Sequence, residues 1–394
     1  TSSRLQFNPP TLNFGNLTPP YHTFSICNMD ISSEAQVETD SDRLQVLLDK
    51  YLHDPDDGGP AADALLEAAT MFEQEEMRFR QKNADAFSSD RKHFPIWEML
   101  ATLVRNEHFL GHVFSAFMQR RDAVLQAAAG RFLVSAGPGL SVLPTLQQSL
   151  FMELLTQDTM EEKLFEMINS GSLPMVAWAE GLLAYALLDD HCADELVRRG
   201  LVPNFLRRLR GIVFEDASIC EAPGAKSVPA QESGYELSGK ALLQREKSFL
   251  VQCLGTLMSY KESLGLALQE GALDVVLTLV GAGAEDAVLC HETLRMLASL
   301  LSHRKFSLVF IESGGLRCLL GLRHLPYCGS SVGLCLLSLA HFTGVMHKIC
   351  RTADPSPKEL TAFALRILDY SDEVASCNAL QFFSKVLAYE QAFL

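Results

Sequence analysis

His108 and His112 are four residues apart, so on a helix they share one face and could hold a metal ion between them. A zinc peptidase of that pattern needs a glutamate directly after the first histidine and a third ligand. Phe109 stands where the glutamate would be, and no third ligand follows at a fixed spacing. His191–Cys192 and Cys290–His291 are adjacent pairs. Adjacent helical residues point about 100° apart, so neither pair converges easily on one ion. Gly281-Ala-Gly283 and Gly137-Pro-Gly139 come nearest to phosphate loops. Neither follows a strand or carries the further glycine or Lys-Ser/Thr of a nucleotide site, so both read as turns. No nucleophile elbow, kinase Gly-rich loop, HRD-like or DFG-like string occurs. These residues predict no metal, no cofactor, no catalytic group and no enzyme.

The remaining cluster with chemical potential is basic. Arg198, Arg199, Arg207, Arg208 and Arg210 crowd one turn between two helical runs in an otherwise acidic chain. They could dock an acidic partner segment or form part of a nuclear import signal. The competing expectation is a solvated face whose arginines pair with Asp194, Glu195 and their neighbours. The acidic stretches Asp54–Asp57 and Glu73–Glu76 read as solvated faces.

The elements that must carry these residues are helical. Three stretches repeat one phrase, in which an apolar helix ends, a glycine turns the chain and a second apolar helix starts. They are Glu195–Leu209, Ala267–Val280 and Val309–Leu322. Gly271 and Gly314 lie 43 residues apart. Gly200 and Gly271 lie 71 apart, or 45 without the Gly/Pro/Ser-rich insert Glu215–Lys240. A helical recurrence of roughly 40–47 residues is the signature of armadillo and HEAT arrays, whose units bury their apolar faces only by stacking. The fold expected is therefore an all-α superhelix, an α-solenoid of layered helical pairs. Leu110, Val113, Phe114 and Phe117 keep a core-facing helical spacing. So do Leu294, Leu297, Ala298 and Leu301, then Val332, Cys335, Leu336 and Leu339, then Leu360, Phe363, Ala364 and Ile367. Breaks are expected at His53–Pro60, Ala136–Leu140, Leu325–Ser331 and Thr352–Pro357. The division predicted is a disordered segment 1–40, repeats over 41–214, a flexible insert 215–240 and repeats over 241–394.

Composition sets limits on function. The chain has 394 residues, 48% of them hydrophobic, which is too long for one ordinary compact domain but natural for an array. A net charge of −15 disfavours broad nucleic-acid binding, which needs Lys and Arg against phosphates. No apolar run reaches membrane-span length. Ten cysteines stand singly, with no CxxC pair, as expected of a reducing compartment, cytosol or nucleus. The chain opens on Thr1, holds a possible initiator at Met29 and stops in or just after a helical pattern at Leu394, so a piece of a longer protein is expected.

The strings also carry a resemblance. His303–His324 followed by Ser330–Cys350 is similar to the armadillo-like region of the Vpr-binding protein family, with Lys305, Phe306, Gly314 and Gly315 at the matching positions. Ser88–Met118, Ala128–Leu140, Ala179–Arg210 and Lys247–Leu277 resemble the same family in order, over roughly Leu44–Leu394. Members of that family are WD-repeat substrate receptors of the cullin-4 RING ubiquitin ligase. The resemblance implies a nuclear protein, also found in the cytoplasm. It implies a scaffold that binds substrates or regulators along its superhelix. The family's ligase adaptor docks on a C-terminal propeller, and its self-association uses a LisH segment; this sequence contains neither. The short insert also departs from the long, very acidic one of animal members. The alternative is a stand-alone armadillo adaptor for transport or assembly. Import adaptors of this fold carry a regular Trp/Asn ladder, whereas Trp97 and Trp178 are the only tryptophans here.

Overall fold

The computed structural model describes residues 39–55, 58–82, 94–119, 122–140, 146–170, 173–187, 190–214, 237–282, 286–323, 325–352, 354–369 and 373–387. All regular structure among them is helical. The chain opens with α1 (Asp40–His53) and α2 (Gly58–Lys82). Six units of three helices follow. The first is α3 (Pro95–Arg105), α4 (Glu107–Met118) and α5 (Ala123–Leu140). The second is α6 (Leu146–Leu155), α7 (Asp158–Ser170) and α8 (Met175–Ala186). The third is α9 (Asp190–Arg198), α10 (Leu201–Phe214) and α11 (Gly239–Leu257). The fourth is α12 (Lys261–Gln269), α13 (Ala272–Ala282) and α14 (Ala287–Leu301). The fifth is α15 (Arg304–Glu312), α16 (Gly315–Leu320) and α17 (Leu325–Ala340). The sixth is α18 (Thr343–Arg351), α19 (Pro357–Leu368) and α20 (Glu373–Val386).

Every third helix stacks on the next of its kind. The order α2, α5, α8, α11, α14, α17, α20 forms one continuous ladder. This makes the chain an all-α array of the armadillo/HEAT-like kind. The repeating unit is a triplet rather than the pair read from sequence. The glycine phrase marks only the junction between the first and second helices. In the third and fourth units the third helix starts on a polar cap instead: Ser238 accepts from the Ala241 amide, and Asp286 from the amides of Val288 and Leu289. The turn glycines Gly200, Gly271 and Gly314 have φ of 72°, 69° and 74°, a region that penalises any side chain with a Cβ. There the chain bends sharply, by 76° between the fourth unit's first two helices.

The rungs are enclosed on nearly all sides. On α14, Leu294, Leu297, Ala298 and Leu301 are buried, together with Cys290, His291 and Thr293 on other faces. Polar side chains on the rungs are used to tie neighbours together. Cys253 donates to the Glu180 carbonyl at 3.4 Å, and Cys335 to the Leu294 carbonyl at 3.2 Å. Ser331 on α17 bonds His291 on α14 at 2.9 Å. An aromatic chain, Phe72–Phe132–Phe109–Tyr51, welds the first layers together edge to face.

Two of the expected breaks are helical, and the one at His53–Pro60 is narrower than expected, with Asp54 and Pro55 outside the helices. Gly137-Pro138-Gly139 forms the last turns of α5, and a Cβ at Gly137 would stand 2.5 Å from a ring carbon of Tyr185. That glycine serves close approach of two rungs, not a turn. Leu325–Ser331 opens α17, where Pro326 costs little because first-turn amides lack intrahelical partners. Gly58–Pro60 starts α2 for the same reason. Boundaries shift similarly: Thr39 caps α1 through Asp42, and Ser238 caps α11, so Asp40, Gly239 and Lys240 are helical. Segments 1–38 and 215–236 lie outside the described residues.

Candidate functional site

α2 is the first rung of the ladder, and with 25 residues it is longer than any other described helix. Its first half is apolar: Ala61, Ala64, Leu65, Ala68, Ala69 and Phe72 are buried, with α5 as the principal neighbour. Its second half is charged and reaches over the later rungs. Here Glu73 meets two arginines from different layers. Arg131 on α5 grips it as a fork, Nε to Oε1 at 3.0 Å and Nη2 to Oε2 at 2.9 Å. Arg245 on α11 adds a contact to Oε2 at 2.8 Å. Ser135 donates to Oε1 at 2.8 Å, and Arg131 Nη2 donates to the Thr70 hydroxyl at 3.3 Å. Burial alone would raise the Glu73 pKa, but the Arg131 hydrogen bonds, the charge of Arg245 and Ser135 outweigh it and hold the carboxyl low.

Seven residues further on, Arg80 pairs with Glu76 at 2.7 Å and extends to Tyr327 on α17, with Glu292 of α14 nearby. Burial would lower the Arg80 pKa; Glu76, Tyr327 and Glu292 reverse the sign and raise it. Burial raises the Tyr327 phenol, against the attraction of Arg80. Glu75 and Glu76 are themselves buried, Glu75 pairing with Arg78. The reading of Glu73–Glu76 as a solvated face is thus corrected. The helix lies on the ladder, and its carboxylates are covered and paired. Asp54, by contrast, is exposed.

A second charged group sits between α8, α10 and α11. Glu180 is 0% exposed, and its Oε1 lies 3.5 Å from Arg208 Nε. The same arginine makes its shorter contact with Glu246. Neither Glu180 oxygen has a hydrogen-bond donor among the described residues. Burial pushes the Glu180 pKa up to about 8, with Arg208 opposing and Glu246 adding to the rise. One arginine thus serves two carboxylates.

The arginines singled out by sequence divide between settings. Arg198 and Arg199 both pair with Glu195 at 2.9 Å, and Arg199 also stacks over Phe165 at 4.4 Å. Arg207 pairs with Glu270 across units at 3.2 Å. Arg208 belongs to the buried group, and Arg210 is exposed near Gly271. His108 and His112 lie on the exposed side of α4, Cys192 and Cys290 are buried, and His291 bonds Ser331. Among the described residues no three His, Cys, Asp or Glu side chains gather in a metal-binding arrangement. No single described helix is long and apolar enough to cross a membrane. Arg131, Glu180, Arg245 and Glu246 were not singled out by sequence, and Glu73 was read only as part of a solvated face. The available signal was a lone charge inside an apolar helical run, as in Met175–Ala186 around Glu180.

Comparison with known proteins gives partial matches. The family profile described as the Mahjong helical domain matches residues 241–353. "Protein mahjong" of Drosophila melanogaster is 22% identical over 86% of this chain, which spans 27% of that relative's length. A "DDB1- and CUL4-associated factor homolog 1" of Caenorhabditis elegans is 30% identical over 36% of this chain and 8% of its own. A designed armadillo repeat protein bound to a (KR)4 peptide aligns with TM-score 0.46 and 14% identity, covering 70% of this chain and 98% of that one. The fold assignment rests on the ladder itself, not on that alignment.

Proposed function

We propose that this chain is the armadillo-like scaffold of a substrate receptor of a cullin-4 RING ubiquitin ligase, a member of the Vpr-binding protein family. It contributes surface, and ubiquitin transfer belongs to the recruited enzymes. The observation that carries this reading is the alignment with "Protein mahjong" over 86% of the chain, together with the match of the Mahjong helical profile to residues 241–353. The names of the worm and Arabidopsis relatives, DDB1- and CUL4-associated factor homologs, supply the ligase link. A stacked array offers a long continuous face to substrates or regulators. On that face Arg198 and Arg207, each with about 60% of its side chain exposed, offer a basic spot beside Arg210 to an acidic segment. Work in the nucleus, with a cytoplasmic fraction, fits the same reading.

The test is co-purification. A version extended to the relatives' full length should recover DDB1 and CUL4 from cells, and residues 1–394 alone should not. Equal recovery by residues 1–394 would overturn the placement of adaptor docking outside this chain. Recovery by neither would overturn the ligase assignment.

A further inference from the structure

The two halves of α2 differ in what holds them. Residues 61–72 are core, with apolar side chains at 1% exposure or less at Ala61, Leu65, Ala69 and Phe72. Residues 73–80 are held mainly by ions and hydrogen bonds. The apolar restraint there is Phe79, edge-on to Phe94 at 5.1 Å, while Met77 on the outer side is 60% exposed. An ionic contact can be exchanged for an equivalent one, because an incoming carboxylate restores the same charge-assisted hydrogen bonds. Apolar burial cannot be exchanged in this way.

The seat beneath Glu73 is defined without that residue. Arg131 and Arg245 come from separate units and converge on one carboxylate. Arg131 keeps 5% of its side chain exposed and Arg245 30%. Burial lowers the Arg245 pKa; Glu73 opposes that change and Arg131 adds to it. Two guanidiniums so placed need an anion between them. A second contact point lies along the same helix face, where Tyr327 and Glu292 receive Arg80. Seven helical residues separate the two, roughly 10.5 Å at 1.5 Å per residue.

We propose that residues 73–82 are a built-in, displaceable occupant of the ladder face that α2 crosses. The seat formed by Arg131 and Arg245 then receives a carboxylate from an acidic helical segment of a partner protein. The matching segment carries an acid and, two turns later, a cation, as Glu73 and Arg80 do. Displacement peels back the polar half of α2 and leaves the apolar half in the core. This rests on the array acting as a binding surface, and not on ligase membership.

The probe is a fluorescent synthetic peptide of residues 70–82, added to the whole chain. The unaltered chain should bind it weakly, because the seat is filled. Glu73→Gln should bind it at least tenfold more tightly. A probe carrying Glu73→Gln should lose that gain, and adding Arg245→Glu to the Glu73→Gln chain should abolish it. Equal binding by unaltered and Glu73→Gln chains of the same far-UV circular dichroism would overturn the proposal, as would equal binding of the two probes. Hydrogen exchange on the unaltered chain decides the matter even where the variant does not fold. Amides of residues 74–82 should exchange at least tenfold faster than those of 61–72. Equal protection of both halves contradicts it.

Discussion

Replacing Glu180 by glutamine should stabilise the protein, and the gain should grow with pH. In the unfolded chain this carboxyl ionises near 4.5; burial first, then Glu246, moves it to about 8 in the fold despite Arg208. Between those values the folded state binds a proton that the unfolded state has released. Stability therefore falls as pH rises through that window, and it is unaffected by this group well below pH 4.5. Each tenfold change in proton affinity is worth about 1.4 kcal/mol, so the full penalty above pH 8 is about 5 kcal/mol. Linkage between pH 5 and pH 9 leaves about 4 kcal/mol of it to appear in that interval. Glutamine keeps the shape, carries no charge to desolvate and leaves Arg208 its shorter contact with Glu246. Urea unfolding of both proteins at pH 5 and pH 9 gives the double difference, in which all other titrating groups cancel. The expected result is a Glu180→Gln advantage larger at pH 9 by about 4 kcal/mol. An advantage that does not change with pH, or a variant less stable at pH 9, would refute the reasoning.

Gly314→Ala should cost about 1–2 kcal/mol through its positive φ, whereas Gly265→Ala, in an open helical position, should gain up to about 1 kcal/mol, both read from thermal midpoints. Phe132→Ala removes the ring that joins Phe72 to Phe109 and should cost about 3–5 kcal/mol in urea. Thiol labelling of the native protein should reach the half-buried Cys318, Cys350 and Cys377 before Cys253 and Cys335, whose pKa values burial raises; early loss of Cys335 would show an open ladder.

Sequence showed the helical class and the glycine-marked junctions because both are local signals. A positive-φ glycine between two apolar runs can be read from a dozen residues, and Gly200, Gly271 and Gly314 all sit at such junctions. The apolar sets around Leu294, Val332 and Leu360 face the core as their spacing required. The other three units join their first two helices without a positive-φ glycine, through Asn106, Gln157 and the Thr352–Ser356 segment, so the triplet stayed hidden. Gly137 misled because glycine permits two things, a turn and a close approach, and only the position of Tyr185 decides between them. The charged groups were least legible. Glu73 and Arg245 look like surface residues of two unrelated helices, and only the course of α2 across the ladder brings them together. Glu180 could have been noticed as a lone acid in an apolar run, but its partners Arg208 and Glu246 come from other helices.

That crossing is open to one direct measurement, a double-mutant cycle on Glu73 and Arg245, which are remote in sequence and 2.8 Å apart in the fold. Glu73→Gln, Arg245→Gln and the double variant are compared with the parent by urea unfolding. A coupling energy of about 1–3 kcal/mol is expected for such a half-buried, charge-assisted contact. Additive effects, with no coupling, would mean that α2 does not lie across the ladder.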